Sequence, residues 1–248
     1  MAKLTNKVAI ITGASKGIGA GIAKAYGTAG ASVVVNYASD KDGAERVVNE
    51  ITAGGGKAVA VQGSVAIAAD VRRIFAAAQQ AFGKVDILVN NAGVFRFDPL
   101  EAVTEDEFHR QFNTNVLGTI LATQEALQYF DQGGSVINIG SVISDNPMAN
   151  SVVYSATKGA VDTIAVALSK ELGAKKIRVN TIAPGAVETE GTHTAGIIGS
   201  GFETEMIANT PLGRLGQPDD IAKVAVFLAS DDATWVNGEK IKVSGGAR

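Results

Sequence analysis

The sequence predicts a single α/β domain in which a doubly wound, seven-stranded parallel sheet is covered by helices on both faces. Two observations lead to this prediction. Short apolar runs alternate with longer segments of helical periodicity along all 248 residues. The apolar runs carry Val and Ile at successive positions, which is typical of strands buried on both faces of a parallel sheet. Neither an internal repeat nor a linker divides the chain, so we expect one domain, residues 1–248.

Strands and helices are expected to alternate along the chain. The predicted strands are residues 8–12, 32–37, 58–62, 87–90, 136–139, 178–182 and 240–243. The predicted helices are residues 17–28, 42–53, 68–82, 105–130, 151–172 and 218–229. A long connection at about residues 186–217 remains. Connections of this length inside a compact domain usually have a function, so we predict a substrate loop there.

The composition argues against several classes of function. The chain has 22 Lys and Arg against 25 Asp and Glu and no dense basic run, so neither nucleic-acid nor membrane binding is favoured. It contains no Cys and only two His, His109 and His193, so we expect no disulfide and no metal centre built from these residues. The first residues enter a strand without a signal-peptide pattern. Together with the absence of Cys, this predicts a cytoplasmic protein.

A glycine-rich segment follows the first strand and opens the first helix. Its residues of interest are Gly13, Ser15, Lys16, Gly17, Ile18 and Gly19. Three glycines permit a tight turn, close approach of the backbone to a pyrophosphate and close helix packing, while free N–H groups at the helix start can bind the anion. A glycine trio by itself is a weak signal, since loops are rich in glycine. Its position after the first strand of an alternating chain predicts a dinucleotide site, as in a Rossmann fold.

The end of the second strand is where a dinucleotide fold contacts the adenosine ribose. This part of the sequence reads Asn36, Tyr37, Ala38 and Ser39. An acid there would bind the ribose 2′-hydroxyl and repel a 2′-phosphate, whereas Asn36 is uncharged. Lys16 adds a cation and Ser39 can donate to a phosphate oxygen, so NADP(H) is favoured. NAD(H) stays possible, because Asp40 and Asp42 lie nearby.

Polar and small residues follow the later strands, at the carboxyl edge where doubly wound sheets bind ligands. Asn91, Ala92 and Gly93 follow the fourth strand, and Ser141 follows the fifth. Each could be no more than a turn or cap residue. Asn115 falls inside a helical pattern, where asparagine is mildly unfavourable and usually exposed.

Apolar residues close to these positions could form the walls of a pocket. Ile143 and Met148 follow Ser141 in a mostly apolar segment. The predicted substrate loop adds an amphipathic piece that contains Phe202 and Met206.

Tyr154 and Lys158 lie four residues apart at the start of a long helical pattern, so both side chains share one helix face. A phenol that exchanges a proton at neutral pH needs a pKa about three units below its usual value of ~10. A lysine cation beside it is one way to lower that pKa. For an arbitrary pair an ordinary surface contact is the more common explanation, so the assignment depends on the other motifs.

Taken together, these segments resemble the short-chain dehydrogenase/reductase family over nearly the whole chain. Each motif is weak alone, but a chance coincidence of all of them is negligible. The matching residues, in the order and spacing of that family, are Thr12, Gly13, Gly17, Ile18, Gly19, Asn90, Asn91, Ala92, Gly93, Asn115, Ser141, Tyr154, Lys158, Pro184, Gly185 and Thr189.

The resemblance implies roles for four catalytic residues. Tyr154 would give a proton to the carbonyl oxygen while a hydride moves between nicotinamide C4 and the carbonyl carbon. Ser141 would hydrogen-bond the same oxygen. Lys158 would lower the pKa of Tyr154 and bind the nicotinamide ribose. Asn115 would hold a water molecule that connects Lys158 to solvent.

The resemblance also implies how the cofactor is held and how the protein assembles. Thr189 and the Val187 backbone would bind the carboxamide, and no metal would take part in the hydride step. Family members are usually homotetramers, and the patterns at 105–130 and 151–172 look like the helices that pair between their subunits.

Two positions depart from the family pattern. Ser64 and Val65 stand where members commonly have Asp-Val beside the adenine, so the usual contact would depend on the Ser64 hydroxyl. Ser244 stands before the paired Gly245 and Gly246, where relatives usually have an acid.

Among its relatives, the chain looks closest to 3-oxoacyl-[acyl-carrier-protein] reductases and the sugar and ketone reductases of that scaffold. An acyl carrier protein is acidic and needs a basic docking patch. Asp131 lies where those reductases tend to be basic, although Lys175 and Lys176 keep some positive charge. We therefore expect an NADPH-dependent ketone reductase, or alcohol dehydrogenase in reverse, for small and largely apolar substrates. The alternatives are a carrier-protein reductase, a sugar dehydrogenase of the glucose 1-dehydrogenase type, and a dinucleotide sensor without turnover.

Overall fold

Parallel strands form a single sheet in the computed structural model of the chain, which describes residues 2–131 and 133–247. The strands are β1 (Val8–Ile11), β2 (Ser32–Tyr37), β3 (Lys57–Gln62), β4 (Ile87–Asn90), β5 (Gly134–Ile139), β6 (Ile177–Pro184) and β7 (Lys240–Val243). Their order in the sheet is β3-β2-β1-β4-β5-β6-β7, and all pairs are parallel. The predicted doubly wound, seven-stranded parallel sheet of a Rossmann fold is confirmed.

The strand order reverses at the centre of the sheet, where β1 pairs with β2 on one side and with β4 on the other. In doubly wound folds, ligands bind in the crevice at the carboxyl ends of the strands beside such a switch point. Asn90 at the end of β4 stands opposite Asn138 of β5. The segments that follow β1, β4 and β5 therefore emerge side by side, and they carry the glycine loop, Asn91 and Ser141.

Helices cover both faces of the sheet. Residues of α1, α2 and α9 form one core with the sheet, and residues of α3, α5 and α6 form the other. Alternate strand residues point to opposite faces, so Ile11 belongs to the first core and Ile10 to the second. The helices are α1 (Gly17–Thr28), α2 (Lys41–Ala53), α3 (Ala68–Phe82), α4 (Glu105–Phe112), α5 (Gly118–Ala126), α6 (Val152–Leu172), α7 (Glu190–Thr194), α8 (Gly201–Ala208) and α9 (Pro218–Ala229).

One predicted helix is wrong in its extent. The pattern at 105–130 predicts a continuous helix, but α4 is followed by a π-helical segment, Asn113–Leu117, and then by α5, which ends at Ala126. Asn115 lies inside the π-helical segment and is buried, contrary to the expectation of an exposed asparagine. Its amide binds the N–H and the C=O of Val94, both at 2.8 Å. Segments of this kind occur frequently at functional sites.

The other boundaries agree with the sequence to within two residues. The largest differences are in β5, which begins two residues earlier, and in β6, which continues to Pro184. No helix within residues 2–131 and 133–247 is both long enough and apolar enough to cross a membrane.

The predicted substrate loop, residues 186–217, leaves the sheet after β6 and contains α7 and α8. Its two ends are hydrogen-bonded to each other. The Glu188 N–H donates to the Gly216 carbonyl and the Gly216 N–H donates to the Ala186 carbonyl, both at 2.9 Å. The loop therefore leaves the carboxyl edge of the sheet and returns to the same place, where hydrogen bonds join its two ends.

We predict that Asn115→Ala destabilises the protein by about 1–3 kcal/mol, because the Val94 N–H and C=O and the Thr157 hydroxyl lose their partner. Urea denaturation measures the change in the free energy of unfolding. Asn113→Ala, at an exposed position of the same segment, is the control and should change it by less than about 0.5 kcal/mol. Equal effects of the two substitutions would contradict this account of Asn115.

Candidate active site

A cleft of about 650 Å³ lies at the carboxyl edge of the sheet, beneath the loop at 186–217. The structure brings together there residues from the glycine loop, the segments after β4, β5 and β6, the start of α6, and α8. Predicted site residues on its surface are Ile18, Asn91, Gly93, Ser141, Ile143, Met148, Tyr154, Lys158, Pro184, Gly185, Val187, Thr189, Phe202 and Met206.

The glycine loop is packed tightly against the segment that follows β4. Gly13 has a left-handed φ of +61°, and a Cβ there would lie 2.8 Å from the Cα of Ala92. The Asn91 amide donates to the carbonyls of Thr12 and Gly13, both at 2.9 Å. The conformation of the loop is therefore fixed from both sides.

The start of α1 already binds an anionic group. Gly17, the first residue of α1, donates its N–H to a carboxylate oxygen of Glu190 at 2.9 Å. Free N–H groups and the helix dipole make such a position favourable for phosphate as well. The loop therefore fits the pyrophosphate of a dinucleotide, with Ser15 and the exposed Lys16 beside it.

The side chain of Asn36, a predicted cofactor-binding residue at the ribose end, is engaged within the protein. Asn36 is 1% exposed. Its oxygen accepts from the Gly13 N–H at 3.2 Å, while its amide group donates to the carbonyls of Val61 and Gly63 at 3.2 and 3.0 Å. The side chain holds the glycine loop to the sheet and is not available to a ligand.

The surface at the end of β2 is formed instead by the exposed Ala38 and Ser39, since Tyr37 is buried. The carboxylate of Asp40 accepts from the Gly43 N–H at 3.0 Å and caps α2. Asp40 is therefore engaged with its own helix, and Lys16 and Ser39 are the predicted 2′-phosphate contacts that remain exposed.

Ser64 and Val65 follow β3 at the adenine end. The Ser64 hydroxyl accepts from the Ala66 N–H at 3.3 Å, and its backbone N–H donates to Asp70 at 2.9 Å. Val65 is buried against α5, where a Cβ at Gly118 would meet its Cγ2 at 2.6 Å. Val65 is thus part of the packing, while the role of Ser64 toward adenine stays a prediction.

The segment after β6 forms the other wall of the cleft. Gly185 donates its N–H to the Val243 carbonyl at 3.0 Å, and a Cβ there would lie 2.9 Å from the Cα of Ser244. Thr189 caps α7, since its hydroxyl accepts from the Thr192 N–H at 3.2 Å. Gly185, Val187 and Thr189 all line the cleft on this side.

Three of the four predicted catalytic residues, Ser141, Tyr154 and Lys158, meet at the floor of the cleft, whereas Asn115 is buried next to Gly93. The Ser141 hydroxyl accepts from the Ile143 N–H at 3.2 Å, and Ser141 and Tyr154 both line the cleft. Lys158 donates from Nζ to the Ile139 carbonyl at 2.8 Å, and Nζ lies 5.7 Å from the Tyr154 ring centroid. A Cβ at Gly93 would lie 3.4 Å from the Asn115 oxygen and 3.8 Å from Lys158 Nζ.

Burial is the largest influence on the pKa of Tyr154. Desolvation by the surrounding protein raises the pKa of Tyr154 to about 12, although the hydrogen bond from Ser141 lowers it. Burial also lowers the pKa of Lys158 to about 8, with the charge of Asp162 acting in the opposite direction. At neutral pH the phenol therefore holds its proton, and the lysine is the group whose charge changes near the physiological range.

Sequence reasoning missed two aromatic residues of the cleft. Phe95 and Phe97 follow Gly93, and each ring centroid lies 5.9 Å from that of Tyr154. The signal available in the sequence was the pair of aromatic residues that closely follows Asn91, Ala92 and Gly93. With Ile143, Met148, Phe202 and Met206 they give the cleft apolar walls around a polar floor.

Comparison with known proteins agrees with this geometry. A family model described as enoyl-(acyl carrier protein) reductase matches residues 13–248. The chain belongs to the short-chain dehydrogenase/reductase family. An uncharacterised oxidoreductase of Methylorubrum extorquens is 59% identical over 100% of both chains. A probable tetrahydroxynaphthalene reductase of Zymoseptoria tritici is 39% identical, over 99% of this chain and 96% of that protein.

Solved structures of short-chain dehydrogenase/reductases have the same fold as this chain. The angucycline C-6 ketoreductase LanV, solved with bound NADP, has a TM-score of 0.91 and 36% identity, covering 99% of this chain and 97% of that one. Further similar structures also contain NADP or NADPH.

We predict that Gly17→Ala weakens NADPH binding by about tenfold or more. The residue has a φ of +58°, and its Cβ would stand 3.3 Å from Thr189, on the surface that a pyrophosphate approaches. Gly55→Ala is the matched control, because Gly55 has a φ of +83° with nothing within 4 Å of an added Cβ. Both variants should lose about 1–2 kcal/mol of stability from backbone strain.

Fluorescence titration with NADPH measures the affinities, and thermal melts measure the stabilities. Unchanged affinity in the Gly17 variant, or an equal loss in the Gly55 variant, would remove the glycine loop from the proposed cofactor site.

Proposed function

We propose that the chain is an NADPH-dependent carbonyl reductase that converts a ketone to a secondary alcohol, and that catalyses the reverse oxidation when alcohol is in excess. The observation that carries this proposal is the convergence of Ser141, Tyr154 and Lys158 at the floor of the cleft. A phenol with a pKa of about 12 keeps its proton at neutral pH and can donate it.

The reaction needs a proton donor, a means of orienting the substrate and a fixed cation. The bound cofactor supplies the hydride in the reducing direction. Tyr154 donates its proton to the carbonyl oxygen, on which negative charge develops, and Ser141 hydrogen-bonds the same oxygen. Lys158 holds the cofactor ribose and places a positive charge beside the phenol. Asn115 lies next to Gly93 and fixes the segment after β4 through its hydrogen bonds to the Val94 N–H and C=O.

NADP(H) is the preferred cofactor in this proposal. Similar structures were solved with NADP or NADPH. In this chain the carboxylate of Asp40, which follows β2, caps α2, while Asp42 in the first turn of α2 is exposed. Lys16 and Ser39 offer a cation and a hydroxyl to a 2′-phosphate.

The substrate proposed is an apolar ketone that carries an aromatic ring. Phe95 and Phe97 form a wall beside Tyr154, and Phe202, Met148 and Met206 face it across the cleft. Aromatic walls favour offset or edge-to-face contact with a flat substrate. The names of the tetrahydroxynaphthalene reductase and the angucycline ketoreductase are consistent with this class.

The alternative substrates fit the cleft less well. A sugar could bind polar residues of the cleft such as Thr192, Glu205 and Asn209, but the side chains packed beside Tyr154 are the aromatic rings of Phe95 and Phe97. An acidic carrier protein would approach the loop at 186–217, which carries Glu188, Glu190, Glu203 and Glu205. Like charges across an interface suppress association.

The proposal includes a homotetramer in the cytoplasm. Large apolar side chains are exposed on the segments between α4 and α6, among them Phe108, Leu117, Ile120, Val152 and Val166. A monomer rarely exposes so many on neighbouring helices, and pairing of these helices between subunits would cover them. Light scattering on the purified protein tests the assembly.

We predict that Tyr154→Phe lowers the turnover of an aryl ketone at least ~100-fold, because the proton donor is lost. NADPH binding should stay within a factor of about two, since the ring is retained. Tyr129→Phe, whose ring packs on Phe75 away from the cleft, is the control and should keep full activity. A dinucleotide sensor would be indifferent to the first substitution.

We predict that Phe97→Ala raises KM for an aryl ketone about tenfold, while KM for a small aliphatic 3-oxoester changes by less than about threefold. Initial rates with NADPH and with NADH, each against both substrates, a sugar and an acyl-carrier thioester, measure the change and rank the substrate classes. Phe112→Leu, in α4 outside the cleft, serves as the matched variant. An equal rise in KM for both substrates would contradict the proposal that Phe97 binds the aromatic ring of the substrate.

A further inference from the structure

The catalytic lysine shares a helix face with a carboxylate that lies one turn further along. Lys158 and Asp162 are both on α6 and are separated by four residues, so their side chains are neighbours. Lys158 is 6% exposed and reaches the floor of the cleft. A buried ammonium is costly unless an opposite charge compensates it.

The Asp162 carboxylate is fixed on one side only. One oxygen accepts from the Ser144 hydroxyl and from Lys240 Nζ, both at 2.7 Å. The other oxygen is buried and has no hydrogen-bond partner among the described residues. A Cβ at Gly140 would lie 3.2 Å from that oxygen. The unpaired oxygen thus rests against the residue that joins Ile139, the acceptor for Lys158, to the catalytic Ser141.

Acidic and basic side chains alternate from Asp162 toward β7, the last strand of the sheet. Lys240 also binds Asp145 at 2.7 Å, and Lys242 binds the same carboxylate at 2.7 Å. These ion pairs join β7 to the segment that follows Ser141 and to α6. Asp162 is the member of this row that stands next to Lys158.

The other groups that face Lys158 carry no charge at neutral pH. On α6 there is the protonated phenol of Tyr154. From β5 there is the Ile139 carbonyl, and from the segments after β4 and in the π-helical turn there are Gly93 and the amide of Asn115. Asp162 lies one helical turn from Lys158 and no ion pair joins them within residues 2–131 and 133–247, so its charge raises the pKa of Lys158 without direct contact.

We propose that Asp162 is a positioning residue of this enzyme, which supplies the negative charge that keeps the Lys158 ammonium protonated. The rate measurements for this proposal rest on the proposed carbonyl reductase activity. Burial brings the pKa of Lys158 to about 8, close to the pH at which enzymes work. Without the carboxylate a substantial fraction of the lysine would be neutral there. Lys240 and Ser144 hold the Asp162 carboxylate in place, and the positive charge of Lys240 weakens its effect on the pKa of Lys158.

The first test is Asp162→Asn, which removes the charge and keeps the shape. The alkaline limb of the pH profile of kcat for ketone reduction should move to lower pH by about one unit. Carbon NMR of protein labelled at the lysine ε-position, with Lys158→Met to assign the resonance, should show the same shift in the titration of Lys158. The NMR titration needs no turnover, so it tests Asp162 even where no ketone is reduced.

The second test is Lys240→Gln, which leaves the Asp162 carboxylate less compensated. Its titration of Lys158 should move to higher pH, opposite to the first variant. Asp145→Asn, which removes the neighbouring carboxylate bound to the same lysine, should leave the Lys158 titration unchanged. A role for Asp162 in folding alone predicts lower stability without these opposite shifts.

Three results would overturn the proposal. They are an unchanged Lys158 titration in Asp162→Asn, a shift to lower pH in Lys240→Gln, and an equal shift in Asp145→Asn. Since Lys240→Gln and Asp145→Asn retain Asp162, they decide the question even where Asp162→Asn does not fold. A wild-type protein that titrates as expected but reduces no ketone would instead reject the proposed function.

Discussion

Burial of the Lys158 ammonium is the constraint on which the rest of the site depends. The amine can enter the protein only where acceptors and negative charge are already in place. Its acceptor is the carbonyl of Ile139, the last residue of β5, so the length of this strand and the position of α6 along it are fixed together. Gly93 leaves room for the side chain, and Tyr154 lies beside it.

The fold follows from signals that are local in the sequence. Runs of Val and Ile identify buried strands, and the first glycine loop and Tyr154 stand at the element boundaries that a doubly wound chain predicts. Because the carboxyl ends of parallel strands share one edge, the alternation of elements alone brings Asn91, Ser141 and the glycine loop together. That is why most of the predicted residues line a single cleft.

The remaining features depend on contacts between distant parts of the chain. Nothing near Asn115 in the sequence indicates that Val94 offers both an N–H and a C=O to it, so a continuous helix was the natural prediction. Asn36 stands where a ribose contact is expected. Its side-chain amide is instead used in hydrogen bonds to the Gly13 N–H and to the carbonyls of Val61 and Gly63. The pKa of Tyr154 depends on how completely the fold desolvates it, and spacing from Lys158 does not reveal that.

Hydrogen bonds between the two ends of the loop that joins β6 to α9 allow the loop to vary without moving the catalytic residues. Because Ala186 and Glu188 are both hydrogen-bonded to Gly216, we expect changes in the intervening residues to leave the sheet in place. Insertions, deletions and helix rearrangements in that excursion can therefore reshape the roof over a carbonyl compound while the reacting groups below stay where they are. Proteins with this scaffold can therefore differ in substrate range while the reacting residues stay the same.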